Sequence, residues 1–481
     1  MKRVNKYFVF ALITLIMPVS CDVVNIDPTH VLDGSNAFKS MSDVEGHLSG
    51  AYSGFRSVNY YQRAYGVLAD MMADDIAENV ESLGNYRDIV DWLYVANEGN
   101  IANAWITPYS IINDANLILA NIDRFSEEAA GQKSRIRGQA LAIRALAHFD
   151  LLRYFGQSYD RNSTALGVPI KTTSSITTPS RNTVQEVYDQ IYADLTEAKT
   201  LLSGTLDEAI NSSTNRSKID AIVVDAIQAR VALYAKDYPT AITSSSNAIN
   251  SSLGLAAFED FPSIWTEDAI ANEVIWSISF LPGQGTPGGD VFFSVNNRLS
   301  FIPTQGLLDL FDTDNDIRYS AYFTDDLVLA TPPNRVGQIV PVKYLGRDGA
   351  TDGNVDFKVF RIAEMYLIRA EAYANSNQDA LAMADLNDLR EARIEDYVDE
   401  NLTGAVLKEA IAEERRKELF IEGHRWFDLR RAGDGIVRGA DCAAPATACE
   451  LSADSHRWIW PIPQNELDAN PGMAGQQNPN Y

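Results

Sequence analysis

The sequence predicts a mainly α protein, in which helical hairpins of the tetratricopeptide type build one compact fold with short strands and long loops. Three observations predict it. Ile136 to Phe155 and Val184 to Leu202 are long apolar runs with helical period. Two stretches, from Ala221 and from Val359, repeat a pattern of small residues in which two helices are joined by a short turn. Between them, Leu253 to Phe357 breaks into short apolar runs separated by Gly, Pro, Asn and Asp. The 481 residues are 46% hydrophobic and 22% charged, enough to bury a large core and unlike a disordered or fibrous chain.

The elements follow in chain order. Lys2, Arg3 and Lys6 precede an apolar run from Tyr7 to Met17, too short for a stable span but of signal-peptide length, so residues 1–20 are expected to be removed on export. The run ends at Pro18-Val19-Ser20-Cys21, which resembles a bacterial lipobox, although Pro18 stands where Leu is usual. That resemblance makes Cys21 the lipidated residue, with two acyl chains as a stable anchor. Residues 21–35 read as a tether and 36–250 as an N-terminal helical region.

In the first hairpin Ala229, Ala232 and Ala235 lead through Asp237 and Pro239 to Ala241, Ile242 and Ala248. Pro239 suits a helix start, where its missing N–H costs nothing. Residues 251–357 form a loop-rich region, with Glu273 to Phe280 as a strand. The second hairpin places Val359, Ile362, Tyr366, Ala370 and Tyr373 on one stripe. Ser376 with Asp379 resembles a capping box that restarts the helix. Neither hairpin buries its apolar face alone, so both are expected to stack with the Ile136 helix. Of the three cysteines, Cys442 and Cys449 remain as an even pair in an exported chain and predict a disulfide that pins a surface loop.

The last quarter carries a resemblance. Arg361 to Tyr373, Asp385 to Arg390, Ile411 to Leu419 and Glu422 to Arg431 stand in the order and spacing of the SusD/RagB family, and Pro461 to Pro471 with Gln477 to Tyr481 resembles its C-terminus. Trp105 to Asn116 and the Ala-rich helix ending Tyr154-Phe155-Gly156 agree more loosely, so the resemblance spans nearly the whole mature chain. Residues 358–481 would be the family's C-terminal region. The resemblance implies a non-catalytic, surface-exposed outer-membrane lipoprotein. It would lie as a lid on a TonB-dependent SusC-like transporter and capture nutrients, usually glycans, with no cofactor. Read from the residues alone, Glu413/Lys417, Arg415/Glu418 and Glu422/Arg425 form ion-pair ladders whose buried members would dock their helix, and Gly423 ends or bends it.

The formal charge of −25 disfavours nucleic acid and anionic lipid as partners. A sugar offers apolar C–H faces and a rim of hydroxyls, so its site needs accessible aromatic plates beside Asp, Asn, Gln or Arg. Gly66 to Asp123 supplies Tyr86, Trp92, Tyr94, Trp105 and Tyr109 among ten acids and one base, Arg87. Asp74 and Trp92 fall near where the family supplies ligand contacts. Tyr94 joins them, and Trp105 reads as a packed helix residue. The second wall is Gly283 to Asn297 with Phe292 and Phe293; Trp265, Tyr60 and Tyr61 are further additions. For each ring taken singly, core packing is the alternative.

Three patterns are discounted. Gly283 to Gly288 matches GxGxxG but contains Pro287 and precedes no helix. Asp312 to Asp316 opens like a calcium loop, but Ile317 replaces the needed Gly and Phe323 the bidentate Glu. Asp70, Asp74, Asp75 and Glu78 read as a solvated acidic helix face rather than a metal site. The rival classes are a RagB-like peptide binder, a structural helical-repeat adaptor and a lipid-anchored glycoside hydrolase. The hydrolase would need two carboxylates flanking a glycosidic bond.

Overall fold

The computed structural model describes residues 38–203, 211–212, 215–268, 272–281, 284, 293–294, 298–328, 335–347, 349–442 and 445–481. The signal peptide, Cys21, the whole tether and the GxGxxG stretch other than Gln284 lie outside the described residues.

Helix α1 (Met41–Gly54) opens on a capping box in which Ser40 and Asp43 satisfy each other's backbone N–H. Helices α2 (Gly99–Asn121), α3 (Gln132–Phe155) and α4 (Val184–Ser203) follow, each packed on its predecessor. Helix α3 is buried on every side from Gly138 to its end, which explains why its sequence is Ala-rich and apolar all round. Its buried charges are paired, Arg144 with Asp194 and Arg153 with Asp150. Asp150 accepts from Tyr60 at 2.7 Å, Tyr61 at 3.0 Å and Arg153 at 2.5 Å, so Tyr60 and Tyr61 are core residues and not ligand plates.

The first hairpin is α5 (Ala221–Tyr234) and α6 (Tyr238–Ile249). Asp220 caps α5 through Ile222 and Val223 N–H, Asp237 caps α6 through Thr240 N–H, and Pro239 lies in the first turn. The second is α7 (Ile362–Asn375) and α8 (Asp379–Glu391), after which come α9 (Gly404–Glu418) and α10 (Arg425–Ala432). Its turn differs from the expected capping box. Ser376 closes α7, and Asn377, at φ +58°, reverses the chain into α8, which has no side-chain cap. The hairpins stack through α6 on α7, and α9 lies across α7 and α8.

The strands form antiparallel pairs. β1 (Ile76–Glu78) pairs with β5 (Phe301–Pro303), β2 (Val274–Ile278) with β8 (Phe357–Arg361), and β3 (Phe293–Ser294) with β4 (Arg298–Leu299). β6 (Phe323–Leu327) pairs with β7 (Arg335–Pro341), and β9 (Ile436–Val437) with β10 (Glu450–Leu451). Val359 therefore belongs to a buried strand and not to the α7 stripe.

Helix α9 is docked by buried charges, but the ladders expected along the helix are replaced by partners from elsewhere. Glu418 takes Arg318, Arg361 and Arg393; Glu422 takes Arg361 and Lys343 at 2.7 Å; Arg425 takes Asp74 at 2.7 Å. Glu413 is exposed, and Lys417 turns to Glu414 and Asp316. Gly423 adopts φ +81°, and an added Cβ would sit 2.4 Å from the Tyr65 carbonyl oxygen, so only glycine fits this corner.

Candidate functional site

One face of the molecule is built from loops that converge from three distant parts of the chain. The segment after Met71 is held against the strands: Thr304 donates its N–H to Asp75 O at 2.9 Å and its hydroxyl to Asp74 O at 2.8 Å. Beyond β1, Asn79 donates its N–H to Ser300 O and its side-chain amide to Leu299 O, while Leu299 N–H reaches Glu81. The β6–β7 hairpin packs beside β5. The third contributor is the loop from Arg438 to Leu451, closed by the Cys442–Cys449 disulfide with its Cα atoms 5.4 Å apart. Arg438 donates to Ala73 O and Val90 O, Thr447 donates its hydroxyl to Asp91 at 2.6 Å, and Asp441 accepts from Gln305 N–H.

Exposed aliphatic residues lie along these segments, among them Val80, Leu83, Leu93 and Val95 after β1, and Val328 and Val336 on the β6–β7 hairpin. Half-buried Tyr86 lies in the same segment, with the Arg63 guanidinium 4.6 Å from its ring centroid and donating to its hydroxyl. Arg87 is fixed as a fork on Glu78, both bonds at 3.1 Å, and Asn85 and Asp88 are exposed beside it. A phenol ring beside a guanidinium, with an amide and a carboxylate exposed in the same segment, is chemically suited to a polyhydroxylated ring.

Of the rings singled out from the sequence, Trp92, Tyr94 and Trp265 lie in the core. Trp92 is 4% exposed, donates Nε1–H to Met72 O at 3.0 Å and is covered by Arg438 at 4.3 Å. Tyr94, 1% exposed, donates its hydroxyl to Arg457 O and packs on Trp460. Trp265, also 1% exposed, is packed between Phe261, Tyr322 and Tyr344 beneath the Lys343 ammonium. These three are core residues, because each is sealed by a side chain contributed from a distant segment. Phe292 lies outside the described residues, and Phe293 opens β3. All seven tryptophans are buried.

The acidic cluster is likewise not a solvated face. Asp74 holds Arg425 through two bonds at 2.7 and 2.9 Å; burial raises its carboxyl, but Arg425 and Arg416 outweigh that and hold it below the usual range. Asp75 takes Arg416 at 2.6 Å yet is pushed upward by complete burial. Asp70, fully buried and beside Asp75, is pushed well upward while accepting from Gly423 N–H at 2.8 Å. Asp74 is thus a clamp between the first loop and α10, and not a free ligand contact.

A second concavity, about 460 Å³, runs between α2 and residues 169–179. Tyr109 is half-buried there with its hydroxyl on Pro169 O, Lys171 bonds Thr177 at 2.6 Å, and the Trp105 indole N–H points to Glu466 at 3.4 Å. Sequence reasoning placed Trp105 in the packing and missed the groove, because its opposite wall comes from segments far along the chain. No local signal marks it.

Comparison with known proteins agrees with this architecture. The SusD family model matches residues 338–481, and a second model, described as "Starch-binding associating with outer membrane", matches residues 32–233. SusD-like protein P38 of Formosa agariphila is 24% identical over the whole of both chains. Starch-binding protein SusD of Bacteroides thetaiotaomicron is 29% identical over 33% of this chain and 27% of its own. Among solved structures, a SusD superfamily protein of Bacteroides thetaiotaomicron superposes with a TM-score of 0.81 at 26% identity, covering 92% of this chain and 100% of that one. A SusD-like carbohydrate binding protein of Bacteroides vulgatus gives 0.76 at 26%, covering 91% and 98%. The chain belongs to the SusD/RagB family.

Proposed function

We propose that this protein is a non-catalytic, lipid-anchored surface lipoprotein that binds a polysaccharide or oligosaccharide and delivers it to a TonB-dependent SusC-like transporter in the outer membrane. The observation that carries this reading is the loop face: three sequence-distant segments, clamped by backbone hydrogen bonds and a disulfide, present Tyr86 with Arg63 among exposed aliphatic and polar groups. Relatives named for starch and carbohydrate binding favour a glycan over a peptide. The anchor at Cys21 and the transporter come with the family resemblance.

Asp70 and Asp75, whose carboxyls burial raises, are sealed from solvent and turned to Gly423 and Arg416, so neither reaches a glycosidic bond as a general acid. The groove at Tyr109 supports a second reading, in which glycan contact lies along α2, because it is concave and pairs a phenol ring with Lys171 and Glu466.

The test is affinity electrophoresis of the mature protein through a panel of polysaccharides, with reducing ends assayed in parallel. Retention without release of reducing ends, lost when Arg63 and Tyr86 are both changed to Ala and kept in Tyr109→Ala, supports the loop face. The opposite pattern favours the groove. Retention on a peptide mixture instead would favour the peptide binder, and sustained release abolished by removing one carboxylate would favour the hydrolase.

A further inference from the structure

A pocket of about 220 Å³ lies where the end of α1 meets β2 and residues 217–218. Its three walls come from distant parts of the chain and are pinned to one another. Ser277 N–H donates to Arg216 O at 2.9 Å, Ile219 N–H donates to the Tyr52 hydroxyl at 3.0 Å, and Phe55 meets the Trp276 ring edge to face at 5.3 Å. None of the lining residues belongs to the loop segments or to the Tyr109 groove described above.

The described lining carries two cations and no acid. Arg56, half-buried, donates only to neutral acceptors, Gln284 Oε1 at 3.2 Å and the Ser53 hydroxyl. Lys218 is half-buried too; its ammonium lies 4.2 Å from the Tyr52 ring centroid and has no hydrogen-bond or carboxylate partner among the described residues. The acids nearby are engaged, Glu45 by Arg135 and Gln132, and Asp220 by Arg216 and the start of α5. Burial, together with Arg135 and Arg56, holds the Lys218 pKa below the ordinary lysine value against the pull of Glu45, so the local field is positive in a chain that carries −25. Ser277 adds a further donor. It is 8% exposed, its hydroxyl has no hydrogen-bond partner among the described residues, and it lines the pocket, as does half-buried Ser279. A hydroxyl left unpaired there costs free energy that an incoming acceptor recovers. Two cations and two hydroxyls on three walls suit a group that presents three or more acceptor oxygens in different directions, whereas a carboxylate presents two in one plane.

We propose that this pocket binds a sulfate or phosphate group, whose oxygens accept from Arg56, Lys218, Ser277 and Ser279. The shared chemistry is a tetrahedral oxyanion, and its source is either the free ion or its half-ester with an alcohol. The site is independent of the loop-face reading, so either stands if the other fails.

Isothermal titration of the mature protein at matched ionic strength tests it, with sulfate, phosphate, methyl sulfate and methyl phosphate as probes and acetate and glucose as controls. Saturable binding of a sulfate or phosphate probe, with neither control bound, is expected. An ester bound more tightly than its free ion identifies the ester as the source, and the reverse identifies the ion. Arg56→Gln with Lys218→Gln should abolish binding, and Ser277→Ala, which removes only a hydroxyl, should weaken it about tenfold. In the unaltered protein the bound probe should slow acetylation of Lys218 several-fold, read by peptide mass spectrometry, whereas chloride at the same ionic strength should not. That readout holds however the variants fold. The proposal fails if no sulfate or phosphate probe binds, if acetate or glucose binds as well, or if the variants bind like the parent. It fails equally if Lys218 is acetylated at the same rate with and without the probe.

Discussion

Replacing Glu418 by Gln perturbs the most densely connected charge in the molecule. Its carboxylate, fully buried, meets Arg361 at 2.7 Å, Arg318 at 3.1 Å and Arg393 at 3.2 Å. The surrounding network joins six cations, Arg318, Lys343, Arg361, Arg390, Arg393 and Lys417, to six carboxylates, Glu273, Asp316, Glu400, Glu414, Glu418 and Glu422. The amide is nearly isosteric but removes one negative charge and turns an acceptor into a donor facing arginines. The network is left with an uncompensated buried cation, which costs about 3–5 kcal/mol. With the 410 described residues and ~2.1 cal/mol/K each, the unfolding entropy is near 0.9 kcal/mol/K, so the melting temperature should fall by about 3–6 °C. Differential scanning calorimetry at neutral pH measures this, with Glu413→Gln as control, since Glu413 lies on the same helix and is exposed. A Glu418→Gln melting temperature within about 1 °C of the parent, or above it, would refute the argument that these charges are paired out of water.

The same network predicts acid sensitivity. Burial alone would raise Glu414, but Arg318, Lys417 and Arg390 outweigh it and bring its carboxyl down to about 2. A depressed folded-state value means the stabilisation is complete above the unfolded value near 4.5 and is lost as pH falls toward 2, about 3 kcal/mol for this group; urea melts between pH 6 and 3 should show the midpoint declining through that window. Gly423→Ala should cost more than about 3 kcal/mol, because the new methyl would meet the Tyr65 and Gly66 carbonyl oxygens at 2.4 and 2.5 Å in a left-handed backbone. A soluble variant with unchanged melting would contradict that geometry. Changing Cys442 and Cys449 to Ser should lower stability by about 2–3 kcal/mol and open the 438–451 loop to protease, while far-ultraviolet dichroism of the helices stays the same.

The two long helices at 136–155 and 184–202 and both hairpins were legible in the sequence because their causes are local. Apolar residues three and four apart, Asp237 and Pro239 at the start of the second helix of the first hairpin, and small residues at the hairpin contacts act within a few turns of chain. The buried charges of α9 were legible as a residue type but not as pairs. Glu418 and Arg415 look like neighbours on one helix, yet Glu418 bonds arginines from three other elements.

The site was less legible, for a physical reason. Whether an aromatic ring is a plate for a ligand or part of the core depends on what covers it, and the cover comes from far away. Trp92 is sealed by Arg438, which also bonds Val90 across 348 residues of sequence. Asp74 reads as a free acid until Arg425, 351 residues on, arrives beside it. Family, fold class and helical frame are therefore written in local periodicity and motif order. The exposed loops and the Tyr109 groove exist only once long-range packing has decided which segments meet and which side chains they cover.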